Sequence, residues 1–349
     1  MKDARLQVAC GGLHPDRVRG LLADFGPVGT LRRLEQGALK TTDRVRQAVA
    51  VPAADRRKEL SAAGIAVVYR GDAEYPDLLA DLEDAPDLLF VRGNLPAGPC
   101  VAVVGTRRCT SYGRRIAETY GRAIAAAGWP VVSGLARGVD GAAHQGTVGV
   151  GGIGIAILGS GIDVMYPREH AQLALDLINV GGAVVSEAPP GSPPEGWRFP
   201  PRNRIISGMA AAVIVVEATV KGGALITAEA ALRHGRQVFA VPGDIGRASS
   251  EGCNLLIRDG AFPVLGPDDL LESLELVLGP APISVAGPAA RRLDEPDQRV
   301  IDLIAAGTND VDELLAGARV SPGEALARLG KLEIAGVIRA DGPGRYVVV

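Results

Sequence analysis

The stretch "VAVVGTRRCTSYGRR", residues 101–115, opens with four apolar β-type residues, breaks at Gly105, and then gives four of its next ten positions to arginine. The following "GRRIAETYGRAIAAAG" sets Ile116, Tyr120, Ile124 and Ala127 on one helical face, so the segment reads as strand, glycine turn, helix. The same alternation continues to about residue 265. Apolar runs recur as "VVS" (131–133), "IGIAIL" (153–158), "AVVS" (183–186), "AVIVVE" (212–217) and "VFAVP" (238–242). Runs that lack polar alternation suit strands buried on both faces, and these predict a doubly wound α/β domain with a mostly parallel sheet. Upstream, "IAVVY" (65–69) reads as a further strand, and "YPDLLADLEDAPDLLFVRGNLPAGP" as a Pro-punctuated connector.

Both flanks differ from this core. Residues 4–60 carry Val18, Leu21, Leu22, Phe25, Leu31, Leu34, Leu39, Val45 and Val49 at helical spacing, interrupted by "FGPVGT", and predict a small helical domain over 1–62. The α/β domain is expected over 63–278, a Pro/Ala/Gly-rich linker over 279–296, and a winged helix over 297–349. That last segment reads as "DQRVIDLIAAG", "VDELLAGA" and "PGEALARLGKLEIAGVI" for three helices, then "VIRADGPGRYVVV" for a hairpin. The net charge of −3 conceals a polarity: residues 1–70 hold 13 Lys and Arg against 7 Asp and Glu, and residues 268–349 hold 8 against 14. A basic head suits a polyanion, whereas an acidic tail repels one. No membrane span or signal peptide is legible, and the expectation is a cytoplasmic protein. Cys10, Cys100, Cys109 and Cys253 form no CxxC pair, so no disulfide framework or zinc site is indicated.

In a parallel sheet the loops at the carboxyl ends of the strands line one crevice. Here they read "GTRR", "SGLARG", "GSGID", "SEAPPG", "EATVKGG" and "PGDIG". Glycines admit backbone N–H groups to an oxyanion, helix N-termini add partial positive charge, and Arg107, Arg137 and Lys221 add formal charge. A dinucleotide fingerprint from Gly105 fails, because Arg107 and Thr110 stand where glycines are required; "GSGIDV" places Val164 at the third glycine. The order of "KGGALITAEAA" is also wrong for a Walker loop. Arginine forks from several loops instead fit the successive phosphates of a chain. "EGWRFPPRNRIISG" interleaves Trp197 and Phe199 with Arg198, Arg202 and Arg204, and aromatic faces beside cations favour unpaired bases. Asp140 and His144, at i and i+4, read as a hydrogen-bonded structural pair rather than as part of a catalytic triad. In the segment 322–335, Glu324 and Glu333 cancel Arg328 and Lys331, which favours a protein contact over duplex reading.

The blocks "YPDLL", "VGTRRCTSYG", "VVSGLARGVDGAAH", "ILGSGIDVMYP", "SEAPP", "FPPRNRIISG", "VIVVEATVKGGALITAEAAL", "VFAVPGD" and "EGCNLLIRDGA" occur in this order over about 190 residues. In them the chain resembles the DNA-processing protein A family (DprA, also called Smf). The resemblance implies an extended Rossmann fold that binds single-stranded DNA and loads the RecA recombinase onto it in natural transformation and recombination. It implies a homodimer, single-strand-binding protein as a further partner, no cofactor and no enzymatic activity. It also implies a SAM-like or helix-hairpin-helix domain in front. By motif position it places Gly105, Thr106 and Arg107; Ser133, Gly134 and Arg137; Phe199, Asn203 and Arg204; and Lys221, Gly222, Gly223 and Thr227 in the DNA pocket. The family's Ser-Gly-Ser after the basic residue is replaced here by Gly222, Gly223 and Ala224, removing two hydroxyl donors. The rival is a nucleotide phosphoribohydrolase of the LOG type with the motif PGGxGTxxE. "KGGALITAE" keeps its Gly222, Gly223 and Glu229 but loses its proline, third glycine and threonine. A nuclease lacks the acidic cluster it needs.

Overall fold

The computed structural model describes residues 1–282, 295–305, 314, 322–334, 338–340 and 345–348. It divides into two compact units, Met1–Val285 and Ala286–Val349.

The first unit is built on a nine-stranded sheet ordered β1-β2-β6-β5-β4-β3-β7-β8-β9. The strands are β1 (Ala66–Tyr69), β2 (Leu88–Gly93), β3 (Cys100–Val104), β4 (Val131–Ser133), β5 (Gly154–Leu158), β6 (Ala183–Ser186), β7 (Ala210–Val215), β8 (Gln237–Ala240) and β9 (Phe262–Pro263). All pairs from β6 through β9 are parallel, whereas β1–β2 and β2–β6 are antiparallel. The winding starts at β3 and proceeds to β6 on one side, then resumes at β7 on the other. The topological switch point therefore falls between β3 and β7, where ligand crevices form in such sheets.

Strand β2 corrects the expectation of an irregular connector. "LLFVRG" is a buried strand whose Leu89 and Val91 face one core cluster and whose Leu88 and Phe90 face another. Its two-faced burial removes the alternation that would have marked it, and the flanking prolines hide its ends.

Helices cover both faces. On one, α6 (Ser111–Ala126) and α7 (Val139–Gly149) pack Ala117, Tyr120, Ile124, Ala142 and Ala143 against Val101, Val103, Val131 and Ile214, alongside α12 (Pro267–Leu278). The expected α6 stripe holds at Tyr120 and Ile124, but Ala127 is exposed at the helix end. Farther along that face, α8 (Ala171–Asn179) covers β5 and β6 together with Leu6, Ala53 and Leu60. The opposite face carries α5 (Asp77–Ala80), α9 (Phe199–Met209), α10 (Gly223–Arg233) and α11 (Ala248–Arg258), which bury Leu79, Ile205, Ile206, Ala228 and Cys253. At Gly121 an added Cβ would strike the backbone of Ala143, so glycine there lets α6 and α7 approach closely.

Four helices precede the sheet: α1 (Lys2–Cys10), α2 (Pro15–Glu35), α3 (Asp43–Ala50) and α4 (Ala53–Ala62). Val8, Leu34 and Val49 form their own small core, while α1 and α4 also give side chains to the sheet. The "FGPVGT" break appears as a kink at Gly26, with φ 63°, that divides α2. Phe25, expected inside, is partly exposed beneath the Arg33 guanidinium at 4.1 Å.

The second unit contains α13 (Glu295–Ala305), α14 (Pro322–Ile334) and an antiparallel pair, β10 (Ile338–Ala340) with β11 (Tyr346–Val348). Val300, Ile304, Leu314, Ala325, Leu329, Leu332 and Ile338 make its core. The helix expected at "VDELLAGA" lies outside the described residues apart from Leu314. On α14, Arg328 bonds Glu324 at 3.0 Å, so those opposite charges meet within the helix. Among the described residues, no helix is long and apolar enough to cross a membrane.

Candidate functional site

The loop after β3, Gly105–Thr110, is tied at both ends to Glu217, just beyond β7. Thr106 N donates to the Glu217 carbonyl at 2.8 Å, and Thr110 N and Oγ1 donate to the Glu217 carboxylate at 2.8 and 2.6 Å. Thr110 also caps α6 by accepting from Gly113 N at 3.0 Å. Gly105 has no room for a side chain, since a Cβ would lie 2.5 Å from Val139 Cγ2. Between these anchors Arg107 and Arg108 project to solvent. The Arg107 guanidinium lies 4.8 Å from the centroid of the Phe199 ring, a cation–π contact. Phe199 in turn lies against Gly159 and is 5.7 Å from Tyr166. An exposed arginine thus sits beside one of two neighbouring aromatic rings at the mouth of the crevice.

The loop after β4 carries Gly134 and Arg137 and leads to α7, whose N-cap Gly138 has φ 81° and fits against the backbone of Thr106 and Arg107. In the same loop Leu135 is buried at φ 53°, a strained backbone for a branched residue, and its carbonyl is bonded by His170 Nδ1 at 2.8 Å. Arg137 is exposed but engaged, meeting both carboxylate oxygens of Glu169. That contact holds the Glu169 carboxyl down at about 2. The loop after β7 ends at Gly222, the N-cap of α10. Its Lys221 is exposed and has no hydrogen bond or ion pair among the described residues. Asn203 Nδ2 reaches the Gly223 carbonyl at 3.4 Å, linking α9 to that loop. The N-termini of α6, α7 and α10 follow these three loops, adding partial positive charge beside the cations.

Other residues expected in the pocket lie beneath it. The Ser133 hydroxyl is buried and donates to the Val103 carbonyl at 2.6 Å, and the Thr227 hydroxyl is turned to the Gly223 carbonyl at 3.5 Å. Arg204 is buried and bonds both oxygens of Glu187 at 2.7 and 2.8 Å, so its charge is already matched. Burial pushes the Glu187 carboxyl up, opposed by Arg204. Trp197 is 39% exposed and already partnered within the protein: His14 stacks on it at 5.3 Å and Arg198 lies over its ring at 4.2 Å.

Arg202, expected from the sequence among the cations beside the aromatic faces, is instead turned into the fold. Fully enclosed on α9, it donates through Nη1 to the carbonyls of Gly134, at 2.7 Å, and Ile157. It crosses above Gly134, where a Cβ would lie 2.6 Å from both its Nη2 and Asp140 Oδ2. Burial pushes the Arg202 guanidinium down to about 10 and raises the Asp140 carboxyl, each charge opposing the shift of the other. Asp140 accepts from Ala136 N at 3.4 Å. The expected Asp140–His144 hydrogen bond is absent because Asp140 faces Gly134 and Arg202, while His144 is buried with its imidazole pushed down to about 3, chiefly by burial. Glu229, the acid that the phosphoribohydrolase reading requires, is 72% exposed on α10 and paired with Arg233 at 3.4 Å.

Comparison with known proteins bears on this geometry. Residues 66–275 match the family model for DNA recombination-mediator protein A, and residues 280–342 match that for the DprA winged helix domain. Protein Smf of Escherichia coli K12 is 41% identical over 279 residues, covering 78% of this chain and 74% of its own length. DNA processing protein DprA of Bacillus subtilis is 40% identical over 214 residues, covering 60% and 72%. The solved structure of DNA processing protein A from Streptococcus pneumoniae superposes with a TM-score of 0.64 at 34% identity, covering 76% of this chain and 95% of that one. The Helicobacter pylori protein, described for its single-stranded DNA binding mode, gives 0.55 at 26% identity over 60% and 95%. With the switch-point crevice formed by the blocks that carry the likeness, and a matching winged helix behind them, the chain belongs to the DNA recombination-mediator protein A family.

Proposed function

We propose that this protein binds single-stranded DNA across the switch-point crevice, protects it, and hands it to the RecA recombinase in transformation and recombination. The reading rests most on one observation: Arg107 projects beside Phe199, whose ring lies next to Tyr166, on a loop that is otherwise anchored, so that a cation and ring faces are offered together. A phosphate meets the guanidinium while a neighbouring unpaired base stacks, a pairing that a duplex cannot make without opening. Membership of the family, and the single-stranded DNA binding described for the Helicobacter pylori relative, support the same reading.

In this account Arg107, Arg137 and Lys221 contact phosphates, Phe199 stacks, and Asn203 holds the Lys221 loop. Gly222 and Gly223 let backbone approach the strand, Gly105 and Gly134 let Val139 and Arg202 pack close against their loops, and Thr106, Ser133, Arg204 and Thr227 shape the loops from beneath. The protein works as a cytoplasmic homodimer without cofactor or catalytic step, single-strand-binding protein is a further partner, and the winged helix makes protein contacts. The domain borders of this reading are 1–62, 63–278, 279–296 and 297–349. The test is a gel shift comparing an oligo-dT strand with a duplex of equal length. Preferential shift of the single strand is expected; equal or stronger duplex binding would contradict the proposal.

A further inference from the structure

Glu217 is a buried carboxylate directly under an anion-binding crevice, an arrangement that repels phosphate unless the charge serves another purpose. Among the described residues no Lys or Arg is paired with it; its oxygens are filled by Thr110 N and Thr110 Oγ1, at the N-terminus of α6. Gly113 gives it space, because a Cβ there would lie 2.5 Å from Glu217 Oε2. The backbone of Glu217 holds the other end of the same loop through Thr106 N, and the chain continues four residues on to Lys221. After Glu217 the chain is pinned again, by Ala218 N to the Ser249 carbonyl at 2.9 Å and Gly252 N to the Ala218 carbonyl at 2.8 Å.

We propose that Glu217 is a positioning residue for nucleic-acid binding: by closing both ends of the Thr106–Thr110 loop onto the segment that joins β7 to Lys221, it fixes Arg107 relative to the second cationic loop. It touches no DNA. Its negative charge is held by amide and hydroxyl donors below the loop, which leaves the guanidinium groups above it unpaired. The inference rests on the single-stranded DNA reading of the crevice. An untied loop lets Arg107 sample geometries away from Phe199, and loosely held binding groups lose affinity although they are still present.

The experiment is a double-mutant cycle on oligo-dT affinity, with Glu217→Ala, Arg107→Ala and the pair, and with Thr110→Val releasing the tie from its other end. Glu217→Ala and Thr110→Val are each expected to weaken binding about tenfold in the wild-type background, and less than about twofold once Arg107 is gone, because they act through that loop. Thr110→Ser, which keeps the hydroxyl, is expected to bind as wild type does. A loss below about threefold from both single variants, or an equal loss with and without Arg107, overturns the proposal. General loss of folding is told apart by urea unfolding of each variant: an equal loss in both backgrounds with the unfolding midpoint kept is the result that overturns the proposal. Amide hydrogen exchange at Thr110, whose N–H loses its carboxylate acceptor, supplies a readout without DNA: faster exchange in Glu217→Ala is expected, and unchanged protection is contrary. If the wild-type protein fails to bind oligo-dT, the crevice reading falls, while the exchange result still decides the tie.

Discussion

Replacing Arg202 by methionine removes the side chain that joins α9 to the strand ends beneath the crevice. Its Nη1 serves the carbonyls of Gly134 and Ile157, both deep in the fold. Net contributions of about 1.5–3 kcal/mol for a charge-assisted bond give a loss of roughly 3–6 kcal/mol. Against this, the buried Nε has no partner, and eliminating that orphaned donor returns about 1–3 kcal/mol. The expected net loss is therefore about 3 kcal/mol, a large share of the stability of an ordinary domain. Both tryptophans, Trp129 and Trp197, belong to the first unit, so fluorescence-monitored urea unfolding reports on that unit. A second arm isolates the neighbouring charge. Asp140→Asn is expected to destabilise the wild-type protein, which loses a charge facing Arg202, but to stabilise Arg202→Met, where the carboxylate is stranded. A loss under about 1 kcal/mol for Arg202→Met, or the same effect of Asp140→Asn in both backgrounds, would refute the reasoning.

Three further outcomes are expected. The buried His144 imidazole is pushed down to about 3, so below its ordinary value near 6.5 the unfolded chain binds a proton that the folded one refuses. Stability is then lost as pH falls from about 6.5 toward 3, amounting to about 2 kcal/mol at pH 5 from this group; unfolding of His144→Leu compared with wild type should show a shallower decline, and parallel declines would count against it. Glu169→Gln releases Arg137 for phosphate, so oligo-dT affinity should rise and the salt slope steepen by about 0.7; weaker binding would show that the ion pair orients the loop instead. Phe199→Ala and Tyr166→Ala should each weaken oligo-dT binding by about 1–3 kcal/mol if both rings stack on bases, and an unaffected titration would remove that ring from the interface.

The central strands β3 to β7 are legible because they are buried on both faces and carry uninterrupted β-type runs, and because Gly105, Gly134 and Gly159 directly follow β3, β4 and β5. β4 and β6 have the expected bounds, 131–133 and 183–186. β2 escaped because proline on either side makes the same apolar pattern resemble a loop. Within the crevice, sequence order identified the loops but not the direction of each side chain. Arg202 and Arg204 lie two positions apart on α9 and therefore diverge, one toward Gly134 and the other toward Glu187. Arg137 carries the expected charge but meets Glu169 from a segment 32 residues away, a pairing that local pattern cannot express. Glu217 reads in the sequence as the end of an apolar run and the start of the loop "EATVKGG"; its role depends on Thr110, which the parallel register of β3 and β7 brings alongside.

The central claim is that exposed cations of the switch-point loops bind the phosphates of an unpaired strand. It is tested most directly by titrating oligo-dT against salt for the wild-type protein, Arg107→Ala and Lys221→Ala. Each variant is expected to bind more weakly and to lower the slope of log affinity against log salt by about 0.7, the equivalent of one phosphate contact on a single strand. Affinity and slope unchanged in both variants would contradict the account.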